Sequence, residues 1–121
     1  FLEKRRGIHE EYRRRLSGVP GLSLLENPDS RYHSNHWLTC VQVNPEEARF
    51  DRETLRLALQ KAGVESRPLW KPMHLQPVFR SCPFYGSGVS DRLFEQGLCL
   101  PSGASLAGED VDRIIDVLLN L

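Results

Sequence analysis

The chain has 121 residues, of which 40% are hydrophobic and 26% charged, a composition typical of one globular domain with a modest core. Sixteen basic residues balance sixteen acidic ones, which argues against a nucleic-acid or anionic-membrane partner. No apolar run approaches the ~20 residues of a membrane span. We therefore expect a single domain over residues 1–121.

The N-terminal residues 1–17 predict an amphipathic helix with a narrow apolar stripe of Ile8, Tyr12 and Leu16. Its arginines are interleaved with glutamates, which is typical of a solvated face. A glycine- and proline-containing cluster at 18–21 ends the helix. A stripe this narrow suits a helix that lies across a surface or links two domains.

Alternating strand and helix patterns follow. Leu22–Glu26 predicts a short strand, and 36–44 predicts a second with Trp37, Thr39, Val41 and Val43 on one face. A helix over 51–62, capped by Asp51, precedes a predicted strand at Val64–Leu69. This strand–helix–strand order predicts a right-handed crossover between strands that are parallel or near neighbours.

The C-terminal part predicts a short helix capped by Ser90, a strand at 98–100 and a last helix from about Gly108. The complete pattern predicts an α/β (α+β) sandwich. It would contain a small mixed sheet of three to four strands, with the helices mainly on one face and the N-terminal helix added as a linking element.

The segment SRPLWKPMHLQPVF (66–79) is the strongest candidate for a binding site. Its three prolines exclude a helix interior and restrict the conformations of the loop. Arg67 and Lys71 suit a phosphate or carboxylate, Trp70 suits a flat ring or sugar face, and His74 can donate or accept a hydrogen bond. The residues equally allow a proline-stapled surface loop whose aromatic side chains fill a core edge.

The sequence argues against two other kinds of site, a zinc site and a catalytic cysteine nucleophile. His33, His36 and Cys40 are possible zinc ligands, but His36 and Cys40 are ~13 Å apart along a strand and cannot share one metal. The odd number of cysteines, with Cys82 and Cys99 as the others, argues against a disulfide framework and predicts reduced thiols in the cytoplasm. Cys40 and Cys99 lie in apolar strands, which favours buried, unreactive thiols.

Five segments in order carry a family resemblance: EKRRGIHEEYRRRL (3–16), HWLTC (36–40), AGVESRPLWKPMHLQPVF (62–79), GLCLPSG (97–103) and LAGEDVDRII (106–115). Together they resemble the C-terminal part of sugar aminotransferases of the DegT/DnrJ family. This resemblance implies the C-terminal domain of a type I pyridoxal phosphate enzyme, usually a cytoplasmic homodimer. The reaction would transfer an amino group from glutamate to a keto nucleotide-sugar in polysaccharide or glycan synthesis.

The resemblance also implies which parts of the enzyme are present. Residues 1–17 would belong to the helix between the two domains and 18–121 to the small domain. The catalytic lysine and the cofactor-binding residues would lie in a large domain outside this chain, so no catalytic, cofactor or metal residue is assigned here, and the isolated chain is expected to be inactive. The candidate substrate-binding residues are Arg67, Trp70, Lys71 and His74, followed by Asn35 and His36.

The resemblance leads to one expectation about the isolated domain and leaves one alternative function open. An isolated domain would expose the face that packs on the large domain, including the Ile8, Tyr12 and Leu16 stripe and parts of the 66–79 loop, and would self-associate. The alternative to an aminotransferase domain is a free-standing small α/β ligand-binding or interaction module without catalysis.

Overall fold

The computed structural model describes all residues from Phe1 to Leu121. A four-stranded sheet has the order β1-β2-β4-β3, and every hydrogen-bonded pair is antiparallel. No helix is both long and apolar enough to cross a membrane. The strands are β1 (Leu22–Leu24), β2 (Thr39–Val43), β3 (Arg67–Pro68) and β4 (Gly97–Leu100).

Five α-helices accompany the sheet, and two short 3-10 turns occupy the loop after β3. The helices are α1 (Leu2–Leu16), α2 (Pro45–Ala48), α3 (Arg52–Lys61), α4 (Val89–Gln96) and α5 (Gly108–Leu119), and the turns are Met73–Leu75 and Pro77–Phe79. The predicted fold class is confirmed, as are the long helices at both ends of the chain. The sheet is antiparallel instead of mixed because β4 lies between β2 and β3, the two strands of the predicted crossover.

Three helices supply the core together with the inner face of the sheet. Fifteen buried residues form one hydrophobic cluster. It includes the full apolar stripe of α5 and the stripe of α1, in which Tyr12 is 0% exposed. The domain thus closes its own core, and the expectation that the α1 stripe would be exposed is wrong. The cluster contains Ile8, Tyr12, Leu16, Leu22, Val41, Val43, Leu55, Leu59, Val64, Leu98, Leu100, Val111, Ile114, Ile115 and Leu118.

Local hydrogen bonds explain the observed ends of α3 and β3. Asp51 caps α3 as expected, with its Oδ1 accepting from the Thr54 N–H at 2.7 Å. The Val64 N–H donates to the Leu59 carbonyl at 2.9 Å and so completes the end of α3. Because the Val64 N–H is bonded to α3 and cannot pair in the sheet, β3 is only two residues long where Val64–Leu69 was predicted.

Two other boundaries differ from the prediction. β2 begins at Thr39 instead of residue 36, because His36 has a left-handed backbone with φ 43°. Helix α4 begins at Val89 after Gly88, whose φ is 75°, so Ser90 lies inside the helix and is not its cap.

Candidate functional site

A groove with a volume of about 710 Å³ lies along the edge of the sheet. The start of α1, the residues before β2, the β3 segment, the loop after β4 and one side of α5 surround it. We call it the arginine groove, because Arg5, Arg67 and Arg113 line it together with Trp37 and Trp70.

A close approach between two backbones positions one wall of this groove. A Cβ atom added at Gly97 would lie 2.5 Å from the Leu93 carbonyl oxygen and would overlap the Leu69 side chain. The Leu69 N–H donates to the Gly97 carbonyl at 3.3 Å. Glycine therefore allows the segment after β3 to lie directly against β4, and this contact brings Trp70 to the rim of the groove.

The groove has an excess of positive charge. Arg67 is already paired, since its guanidinium donates to Glu65 Oε1 at 2.8 and 2.6 Å. Arg113 makes no ion pair, and the buried Nε of Arg5 has no hydrogen-bond partner. Two guanidinium groups are thus free to bind an anion such as a phosphate. The one other carboxylate in the lining is that of Asp110, which accepts from the Ala107 N–H at 3.0 Å.

The floor of the groove is fixed by buried hydrogen bonds. The Ser102 hydroxyl donates to the Leu100 carbonyl at 3.0 Å and accepts from the Thr39 N–H at 2.8 Å. The Tyr12 hydroxyl donates to the Pro101 carbonyl at 3.0 Å, and burial raises the pKa of Tyr12 above its ordinary value. These contacts hold the turn after β4 in one conformation, so the groove is preformed.

The structure brings two of the six predicted site residues into the groove, namely Arg67 and Trp70. Lys71 is exposed outside it, and its backbone carbonyl accepts from Gln76 Nε2 at 3.1 Å. His74 turns toward α4 instead, with its Nε2 2.7 Å from Asp91 Oδ1 and its ring stacked on Phe84.

The other two predicted residues lie next to the groove and support its wall. The Asn35 side chain accepts from the Trp37 N–H at 3.0 Å and so holds the backbone before β2. His36 stacks on His9, with ring centroids 3.7 Å apart. Burial, followed by the nearby His9, lowers the pKa of His36 below its ordinary value.

Sequence reasoning missed three lining residues. The alternating pattern of 36–44 predicts Trp37 on a strand face, whereas it is 58% exposed and precedes the strand. The charge pattern of α1 predicts a solvated Arg5, and the sequence around Arg113 predicts no site. No local signal identifies either arginine, because α1 and α5 meet only through tertiary packing.

The residues of the groove do not by themselves fit pyridoxal phosphate. An enzyme of that kind holds its cofactor through a lysine. The three lysines, Lys4, Lys61 and Lys71, are all exposed, and none of them lines the arginine groove. The groove suits an anionic ligand that carries a ring.

Comparison with known proteins gives a consistent result. The sequence model of the DegT/DnrJ/EryC1/StrS aminotransferase family matches residues 1–119. The chain is 35% identical over 124 residues to the Bacillus subtilis protein described as pyridoxal phosphate-dependent aminotransferase EpsN, covering 99% of this chain and 31% of that protein. It is 28% identical over 121 residues to GDP-perosamine synthase of Vibrio cholerae, covering 99% and 32% respectively.

Solved structures share the fold. The aminotransferase TlmJ from Streptoalloteichus hindustanus superposes with a TM-score of 0.83 at 27% identity, covering 98% of this chain and 31% of its own. DesI, determined with its TDP-sugar product, gives a TM-score of 0.84 at 26% identity, covering 97% and 30%. The chain thus spans about a third of the length of these relatives. It belongs to the DegT/DnrJ/EryC1/StrS aminotransferase family.

Proposed function

We propose that this chain is the C-terminal domain of a pyridoxal phosphate-dependent aminotransferase that acts on nucleotide-linked keto sugars, with glutamate as amino donor. Family membership supports the reaction class, and the named substrates of two relatives, GDP-perosamine synthase and DesI, support the substrate class. The enzyme would be a cytoplasmic homodimer in polysaccharide or glycan synthesis. Residues 1–17 would belong to the interdomain helix and 18–121 to the small domain.

The arginine groove carries this proposal. A nucleotide-sugar presents a negatively charged diphosphate, a flat base and a sugar ring. Arg5 and Arg113 offer unpaired guanidinium groups for the diphosphate, and the exposed rings of Trp37 and Trp70 offer apolar faces for the base or the sugar. The domain would form one wall of the substrate cleft.

Within this wall the residues bind and orient, and they do not react. Arg67 would be held near the ligand by Glu65, which keeps its guanidinium in one position. Lys71 and His74 lie outside the groove. They would contact the substrate only through a part of it that extends out of the groove past Trp70. Pyridoxal phosphate would be held by residues outside this chain, since no lysine lines the groove.

The test compares this chain with the full-length protein that contains it. We expect the full-length protein to transfer the amino group of glutamate to a keto nucleotide-sugar. The 121-residue chain closes its own core, so we expect it to fold by itself for the comparison. It should form no borohydride-reducible lysine adduct with pyridoxal phosphate. An adduct on the isolated chain would contradict the assignment of the cofactor, and failure of every keto nucleotide-sugar with the full-length protein would contradict the substrate class.

A further inference from the structure

Two cysteines that are far apart in the sequence lie directly opposite each other in the sheet. Cys40 on β2 pairs in register with Cys99 on the antiparallel strand β4. Their Sγ atoms are 3.8 Å apart, although 59 positions separate them in the chain. Both are free thiols, and Cys99 lines the arginine groove while Cys40 is half-buried beside it.

The backbone geometry suits a covalent bond between them. Directly opposed residues of an antiparallel pair have Cα atoms about 4.5–5.5 Å apart, within the range of about 4.4–6.8 Å that a disulfide spans. The sulfur atoms must approach to about 2.05 Å, which rotation of the two side chains can provide. Both side chains project from the sheet face opposite to Val41 and Leu98, so the hydrophobic core need not change.

The two thiols are also chemically unequal. One thiol donates its S–H toward the sulfur of the other, and this contact lowers the pKa of Cys99 while it raises the pKa of Cys40. Cys99 is therefore the better nucleophile of the pair, and its place in the groove wall gives a small oxidant access to it.

We propose that Cys40 and Cys99 form a reversible oxidative modification site, at which hydrogen peroxide converts the two thiols into one intrachain disulfide. The Cys99 thiolate attacks a peroxide oxygen, the O–O bond breaks, and hydroxide leaves to give a sulfenic acid. The Cys40 sulfur then attacks the Cys99 sulfur and displaces a second hydroxide. The protons of the two thiols convert both hydroxides to water, so two thiols and one peroxide give one disulfide and two waters.

This modification is independent of the proposed aminotransferase function. It depends only on the register of β2 with β4 and on access to the groove. A disulfide here would join the two central strands beside the arginine groove, and a thiol reductant would restore the free pair.

The test uses the 121-residue chain in a Cys82→Ser background, because Cys82 is exposed and could link two chains. Iodoacetamide under denaturing conditions should label both remaining thiols before treatment and neither after treatment with hydrogen peroxide. The mass should fall by two hydrogen atoms, and tryptic peptides containing Cys40 and Cys99 should be joined. Dithiothreitol should restore both labels.

A matched variant tests the order of the two steps. In Cys40→Ser, Cys99 has no partner, and dimedone should trap its sulfenic acid as an adduct that the parent chain does not accumulate. The proposal is overturned if peroxide leaves both thiols of the parent chain open to iodoacetamide, if Cys99 gains oxygen without linkage, or if the only linkage joins two chains. The full-length protein should then show the same joined peptides after peroxide treatment, and their absence there would equally overturn it.

Discussion

Trp37 and Trp70 come from different segments of the chain and meet with their ring centroids 6.4 Å apart and their planes inclined by 39°. They remain 58% and 70% exposed, which is high for the largest apolar side chain. A different backbone contact positions each ring. The Asn35 side chain accepts from the Trp37 N–H, and the absence of a side chain at Gly97 lets the segment that carries Trp70 lie against β4. The pair gives the groove an aromatic rim whose ring faces are open to a ligand.

Under the proposed function, replacement of Trp70 by alanine should weaken binding of the nucleotide-sugar. Stacking of a base on an aromatic side chain contributes about 1–3 kcal/mol, so we expect the KM of the full-length enzyme for the nucleotide-sugar to rise about fivefold or more. Steady-state kinetics checks this, with Tyr85→Ala as control because Tyr85 is 93% exposed and does not line the groove. Equal effects of the two changes would exclude a specific role for Trp70.

Under the proposed function, Arg113→Gln should weaken binding of the diphosphate part of the nucleotide-sugar. Arg113 lines the groove without an ion pair of its own, so its charge is available to an anion. A hydrogen bond to a charged group contributes about 1.5–3 kcal/mol, which predicts at least a tenfold increase in the Kd of a nucleoside diphosphate. Calorimetric titration of the full-length protein measures this Kd at low and high salt. The Kd of the variant should depend less on salt than that of the parent protein.

The matched control for this change is Arg14→Gln. Arg14 lies on the exposed side of α1, pairs with Glu11 at 2.6 Å and does not line the groove. It removes the same charge from the protein, so any effect of net charge alone would appear in both variants. A similar loss of affinity in both would contradict a direct role for Arg113.

Much of the fold could be predicted from the sequence because the main helices follow local periodicity. The stripe of α5, for example, contains Val111 and Ile114, and both are buried as their spacing predicts. Sheet order could not be predicted in this way, since the placement of β4 between β2 and β3 depends on contacts between distant segments. The length of β3 was overestimated because the Val64 N–H completes α3 instead of pairing in the sheet.

The site was only partly predictable for the same reason. Arg67 and Trp70 lie within one segment that is unusually rich in proline, and that local composition identified them. Arg5 and Arg113 reach the groove from two helices whose packing no short motif reveals. The pairing of Cys40 with Cys99 could not be predicted for the same reason, because the two residues are 59 positions apart and lie on different strands.

Leu59→Ala should destabilise the isolated domain strongly. Leu59 on α3 is 0% exposed and belongs to the core cluster, and removal of a buried leucine side chain costs about 2–5 kcal/mol. Leu57→Ala on the same helix is the control, since Leu57 is 50% exposed and should change the free energy of unfolding by less than about 0.5 kcal/mol. Urea denaturation of both variants checks this. Similar effects would mean that α3 does not pack on the core as described.

Stability should fall in mildly acidic solution through His36. Its pKa in the folded protein is lowered from 6.5, first by burial and then by the neighbouring His9, with a further small decrease from Arg6 and an opposing effect of Glu26. The folded state therefore binds a proton on His36 less readily than the unfolded state does. The resulting stability is complete above pH 6.5 and is lost as the pH falls through the lowered pKa.

His36→Asn isolates this effect. Asparagine tolerates the left-handed backbone that His36 adopts, with φ 43°, and it does not titrate. Urea denaturation at about pH 8 and about pH 5 should give a smaller loss of unfolding free energy in the variant than in the parent chain. If the variant retained the whole loss, the loss would not come from His36.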